Sequence, residues 1–127
     1  VPGRPLDPSL PVKTVLVLED HAPMAEALKE ELGARGCHVV VADTVAEAKE
    51  AYAGQGWDIV VADFDVPDGN GCEFLDWCSG FDGHAPTLTI LFTGLSRDAE
   101  VAAMRYPPGI SMLKDRLPEL IDLVAAQ

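Results

Sequence analysis

Positive charge is scarce in this sequence. Lys and Arg number 9 against 21 Asp and Glu, a net charge of −12. That balance argues against nucleic acid as a direct partner, because phosphate contacts need clustered Lys and Arg. Cysteine is scarce too. Cys37, Cys72 and Cys78 lie too far apart for a zinc framework, and no His follows at finger spacing. An odd number of thiols with no secretory signal points to free cysteines in a reducing cytoplasm. No apolar run approaches the ~18 residues of a membrane span. The start, VPGRPLDPSLP, lacks the basic-then-apolar plan of a signal peptide. It also lacks an initiator Met, and the chain reads as a piece of a longer one.

What is present is a globular balance: 127 residues, 48% hydrophobic and 24% charged, enough for one domain with one core. Pro2, Pro5, Pro8 and Pro11 recur every third position, the period of polyproline II. Residues 1–11 therefore read as an extended tail or linker, and residues 12–127 as the domain.

Five short apolar runs punctuate that domain: Thr14 to Leu18, His38 to Ala42, Ile59 to Ala62, Leu88 to Phe92 and Ile110 to Leu113. Each reads as a buried strand. Helical signals separate them. Pro23 suits a first helical turn, and Met24, Leu28 and Leu32 share a face that ends near Gly33 or Gly36. Thr44-x-x-Glu47 is a capping box for a helix through about Ala53. A short helix is expected over Cys72 to Ser79, one from Arg97 to Arg105 capped by Ser96, and a last one from Pro118 to Ala125. Strand-then-helix alternation implies a parallel sheet with helices on both faces. Trp57 and Trp77 read as packing residues, and His21, His38 and His84 as solvated or incidental.

The chemistry gathers at the strand ends. Open α/β sheets bind ligands where the C-terminal edges of parallel strands line up. Strand one ends in Glu19-Asp20, strand three in Asp63, strand four in Thr93 and strand five in Lys114. If the order is 2-1-3-4-5, these four strands are neighbours. Clustered carboxylates offer hard oxygens suited to Mg²⁺. A carboxylate can attack phosphorus to give an acyl phosphate. The charge that spreads over phosphoryl oxygens needs a metal, a Lys and hydroxyl donors.

On these residues the chain resembles the receiver domains of two-component response regulators, of the chemotaxis-regulator type. The matching features are Glu19-Asp20, Asp63 with Pro67 four and Gly71 eight residues later, Thr93-Gly94 after an apolar strand, and Lys114 after the fifth. The resemblance implies a flavodoxin-like (βα)5 three-layer sandwich in the order 2-1-3-4-5. It implies that Asp63 accepts a phosphoryl group from a histidine kinase or histidine phosphotransfer protein. Glu19, Asp20, Asp63 and the backbone carbonyl of Asp65 would hold Mg²⁺, or Mn²⁺ in its place. Thr93 and Lys114 would bind phosphoryl oxygens. Gly94 would leave the site open. The output would be a changed surface on helix 4, strand 5 and helix 5, meeting an effector domain or a second copy. Such a domain is a signalling phosphoacceptor rather than an enzyme.

Three departures stand out. Asp115 follows Lys114 where the family usually has Pro through a cis bond, so a trans bond and a rearranged loop are expected. The Asp115 carboxylate is then a competitor for the Lys114 ammonium. Ser111 stands where the family often carries an aromatic switch residue, and Ser111 and Asp115 together open an alternative: a receiver-like interaction module not governed by phosphate. Asp65 and Leu95 occupy positions that tune acyl-phosphate hydrolysis in the family. Asp68, beside Gly69-Asn70-Gly71, reads as turn chemistry.

Two further alternatives are weaker. Asp63-Phe64-Asp65 resembles the nucleophile motif of haloacid-dehalogenase-type phosphatases, but it follows the third strand rather than the first. A calcium loop starting at Asp63 fails at Pro67, Asp68 and Phe74.

Overall fold

The computed structural model describes residues 13–127 apart from 82, 84, 87 and 95. The proline-spaced tail, His84 and Leu95 thus lie outside the described residues. Five parallel strands form the sheet: β1 (Thr14–Leu18), β2 (His38–Ala42), β3 (Ile59–Ala62), β4 (Leu88–Thr93) and β5 (Ile110–Leu113). Their order is β2-β1-β3-β4-β5, as the resemblance implied. Helices α1 (Ala22–Ala34), α2 (Val45–Gly54), α3 (Gly71–Ser79), α4 (Arg97–Arg105) and α5 (Leu117–Ala125) connect or follow them.

Strand alternation divides the core in two. Leu16, Leu18, Val60, Ala62 and Leu91 face α2, α3 and α4, where they meet Tyr52, Phe74, Leu75 and Ala99. Val15, Val17, Ile59, Val61, Ile90 and Phe92 face α1 and α5, where they meet Leu28, Leu32, Leu120, Ile121 and Val124. Burial on both faces is why these strands are continuous apolar runs rather than alternating ones. Each buried Val, Leu, Ile or Phe among them contributes about 1.5–3 kcal/mol relative to exposure.

The helix ends follow local chemistry. Gly36, at φ 85, closes α1 with the Cys37 N–H donating to the Leu32 carbonyl at 3.1 Å. Thr44 caps α2 as expected, accepting from the Glu47 N–H at 3.1 Å. Asn70 caps α3, accepting from the Glu73 N–H at 2.9 Å and donating to the Glu73 carboxylate at 3.0 Å. At the far end, the Lys13 ammonium donates to the Val124 and Ala125 carbonyls at 2.8 and 3.2 Å, completing the C-terminus of α5.

Both tryptophans pack. Trp57 is buried and donates to the Ala51 carbonyl at 3.0 Å. Trp77 lies among Tyr52, Phe74 and Phe81. The three cysteines are free thiols. No helix among the described residues is long and apolar enough to cross a membrane.

Candidate functional site

The apolar run Ile59–Ala62 is fully buried and delivers Asp63 to the carboxyl edge of the sheet. The Asp63 amide donates to the Leu18 carbonyl at 2.8 Å, and the Glu19 amide to the Ala42 carbonyl at 2.9 Å. The two acidic strand ends are thereby fixed side by side. Carboxylate oxygens of Glu19, Asp20 and Asp63 all lie within 4.8 Å of one another. Glu19 is 2% exposed and Asp63 8%, whereas Asp20 faces solvent.

Lys114 is the counter-ion of this cluster. Its ammonium lies 3.0 and 2.9 Å from the two Glu19 oxygens and 3.2 Å from Asp63 Oδ2. Burial pushes the Glu19 carboxyl above its ordinary value, only partly offset by the hydrogen bond from Lys114. Burial pulls Lys114 down, but hydrogen bonding and attraction from Glu19 and Asp63 outweigh it and leave the ammonium above its ordinary value. Three carboxylates facing one ammonium retain an excess of negative charge. That excess, carried by hard oxygens, fits a divalent cation such as Mg²⁺ or Mn²⁺.

Asp115 does not take Lys114 away. It is exposed in the 3-10 turn Lys114–Arg116 that leads from β5 into α5. No cis peptide bond occurs among the described residues, so the Lys114–Asp115 bond is trans as expected. His21 is exposed, and its backbone N–H donates to Glu19 Oε1 at 3.1 Å.

Beyond Asp63 the chain forms a feature that sequence reasoning missed. Asp65–Val66 and Gly69–Asn70 pair as a two-residue antiparallel ribbon. Asp68, at its tip, does more than serve its own turn. Its carboxylate accepts from the Val45 N–H at 2.6 Å and the Ala46 N–H at 3.0 Å, at the start of α2. These bonds hold the Asp68 carboxyl below its ordinary range. Their contribution is therefore complete above that range and is lost as pH falls through the lowered value. The Asn70 cap was also missed, although Asn70-x-x-Glu73 repeats the spacing of Thr44-x-x-Glu47.

Thr93 ends β4 and is 8% exposed. Beside it lies a cavity of about 380 Å³ between the sheet and α4, with Thr93, Ala99, Ala103 and Ser111 among its walls. Small side chains at 99, 103 and 111 leave this space. Ser111→Phe should fill it and raise stability by about 1 kcal/mol, read as a higher denaturation midpoint. A lower midpoint would show that the walls do not admit a ring.

The family described as response regulator receiver domain matches residues 15–110, a span that takes in Glu19, Asp20, Asp63 and Thr93. The virulence sensor protein BvgS of Bordetella bronchiseptica is 30% identical over 120 residues, covering 83% of this chain and 10% of that protein. BvgS of Bordetella parapertussis matches to the same extent. The chain thus spans about a tenth of the length of these curated relatives. Among solved structures, the non-phosphorylated HemR receiver domain from Leptospira biflexa superposes with TM-score 0.74 at 24% identity, covering 91% of this chain and 95% of that one. The receiver domain of a signal transduction histidine kinase from Syntrophus aciditrophicus gives 0.77 at 20% identity, covering 91% of each. With the strand order and acidic edge described above, these matches establish that the chain belongs to the response regulator receiver domain family of two-component signalling.

Proposed function

We propose that this receiver domain is a phosphoacceptor switch in which Asp63 takes a phosphoryl group from the phosphohistidine of a histidine kinase or histidine phosphotransfer protein. The observation that carries this reading is the convergence of Asp63, Glu19, Asp20 and Lys114 at one edge of the sheet. A carboxylate oxygen of Asp63 attacks phosphorus and the P–N bond to the donor imidazole breaks. The imidazole keeps the electron pair and takes up a proton. Asp63 then carries an acyl phosphate.

Glu19, Asp20, Asp63 and the Asp65 backbone carbonyl would hold Mg²⁺, which neutralises charge between the nucleophile and the phosphoryl oxygens. Lys114, already beside Asp63, gives its ammonium to a phosphoryl oxygen. Thr93, at the end of the neighbouring strand, offers its hydroxyl to another. Both then change partners, which is how phosphorylation would alter the surfaces of α4, β5 and α5. Residues 12–127 act as one receiver unit in this reading, with residues 1–11 as a linker and an effector domain or second copy as the recipient of the signal.

Incubation with Mg²⁺ and acetyl phosphate tests it. Intact-mass measurement should show the gain of one phosphoryl group, and peptide mapping should place it on Asp63. An unchanged mass would defeat the proposal. The cavity at Ser111 favours a second reading, an interaction module indifferent to phosphate, and an unchanged mass together with no response to BeF₃⁻ would support it. The haloacid-dehalogenase alternative has no support beside the family match.

A further inference from the structure

The geometry points to Asp68 as a positioning residue that couples the Asp63 end of β3 to the first turn of α2. This rests on the proposed function, since it needs a change of state at Asp63 to transmit. The path is short and continuous. Asp63 is followed after one residue by the ribbon Asp65–Val66 with Gly69–Asn70. Asp68 is at the tip of that ribbon, and its two carboxylate oxygens bind the Val45 and Ala46 N–H groups at 2.6 and 3.0 Å.

A helix start leaves four N–H groups without helical partners. In α2, Thr44 satisfies one from within its own turn. Asp68 satisfies two more from a loop 23 and 22 residues away in sequence. Packing reinforces the join: a Cβ built on Gly69 would lie 3.2 Å from Val45 Cγ2, so the ribbon backbone rests directly on the helix. Both ends of the ribbon are anchored as well, because Asn70 caps α3 and the Gly71 N–H donates to the Phe64 carbonyl at 3.0 Å. A short ribbon held at its base and its tip moves as a unit. A shift of the Asp65 backbone on cation or phosphoryl binding therefore displaces the Asp68 carboxylate, and α2 must follow or lose two hydrogen bonds.

The route through α4 is built differently. There Thr93 borders a cavity of about 380 Å³ beside α4. The path from Asp63 to α2 runs instead through the two Asp68 hydrogen bonds and the approach of Gly69 to Val45. The start of α2, with exposed Asp43 just before its cap and exposed Glu47 in its first turn, becomes a second surface that reports the state of Asp63.

Amide NMR spectra taken before and after Mg²⁺ with BeF₃⁻ test this on the wild-type protein, Asp68→Ala and Asp68→Asn. In wild type, the Val45, Ala46 and Thr93 amides should all shift. In Asp68→Ala the Val45 and Ala46 responses should fall several-fold while Thr93 still responds, and Mg²⁺ affinity should weaken roughly tenfold, the usual cost of losing a residue that orients a metal ligand. Asp68→Asn, which keeps the shape but not the charge, should fall between and serves if the Ala variant does not fold. Thr44→Ala removes the other cap of the same helix. It should lower stability and leave Mg²⁺ affinity and the Ala46 response intact. Equal Val45 and Ala46 responses in Asp68→Ala and wild type would overturn the inference. So would a wild-type protein in which Thr93 shifts and Val45 and Ala46 do not, with the proposed function still standing. If no amide near Asp63 responds at all, both fail together.

Discussion

Gly71→Ala should destabilise the domain by about 3 kcal/mol or more and lower its melting temperature by about 10 °C. A Cβ at this position would overlap the Asp63 carbonyl oxygen, lie 2.9 Å from the Asp63 carbonyl carbon and 3.2 Å from Ala62 Cβ. The first two are backbone atoms and cannot rotate away. Asp63 is held on its other side by its hydrogen bond to the Leu18 carbonyl at 2.8 Å. Either the start of α3 or the acidic edge must move. The requirement is for close approach and not for an unusual backbone angle. Gly33→Ala is the control: nothing lies within 4 Å of a Cβ there, and the residue is inside α1. That substitution should be stabilising by about 0.5–1 kcal/mol. Urea denaturation of both variants decides, and a Gly71→Ala protein within about 1 kcal/mol of wild type would contradict the packing described.

Lys114→Met should cost about 2–3 kcal/mol in the absence of divalent cations, the lower side of what breaking a buried ion pair costs, because the ammonium is partly open to solvent. Its removal leaves Glu19 and Asp63 facing each other without a positive charge. Mg²⁺ should restore more stability to the variant than to wild type, since it would supply the missing charge. The pH dependence has a definite sign. Glu19 has a raised carboxyl in the folded protein, so the penalty of its ionised form is present above that value and disappears as falling pH protonates it. The deficit of Lys114→Met should therefore narrow in acid. A deficit that is unchanged by both Mg²⁺ and acid would show that Lys114 contributes through packing alone.

The sheet and its acidic edge were legible in the sequence because both are written locally. Ile59–Ala62 is apolar without interruption, and the residue that stops the run is the one the strand presents at its end. Glu19, Thr93 and Lys114 follow the same rule. Long-range choices were not legible. Gly69-Asn70-Gly71 around Asp68 is strong local turn chemistry, and it hid a carboxylate whose partners begin a helix elsewhere. Lys114 was expected at the sheet edge with Glu19, Asp20 and Asp63, with Asp115 as a competitor for its ammonium. The fold brings Glu19, 95 residues away in sequence, to within hydrogen-bond distance and leaves Asp115 exposed, a choice between partners that adjacency did not decide. Ser111 announced a missing aromatic, but whether neighbouring residues would close over the space depended on Ala99 and Ala103 across from it.

The Lys13 contact with the end of α5 also bears on how the domain can be joined to other chains. Lys13 precedes β1, yet its side chain reaches the last turn of the last helix at Val124 and Ala125. The backbone at Lys13 and the last turn of α5 are separated by no more than one lysine side chain and a hydrogen bond. Such geometry permits circular permutation, with a short linker joining 127 to 13 and new ends opened in an exposed loop. It equally permits insertion of the whole domain into a surface loop of another protein without stretching either partner.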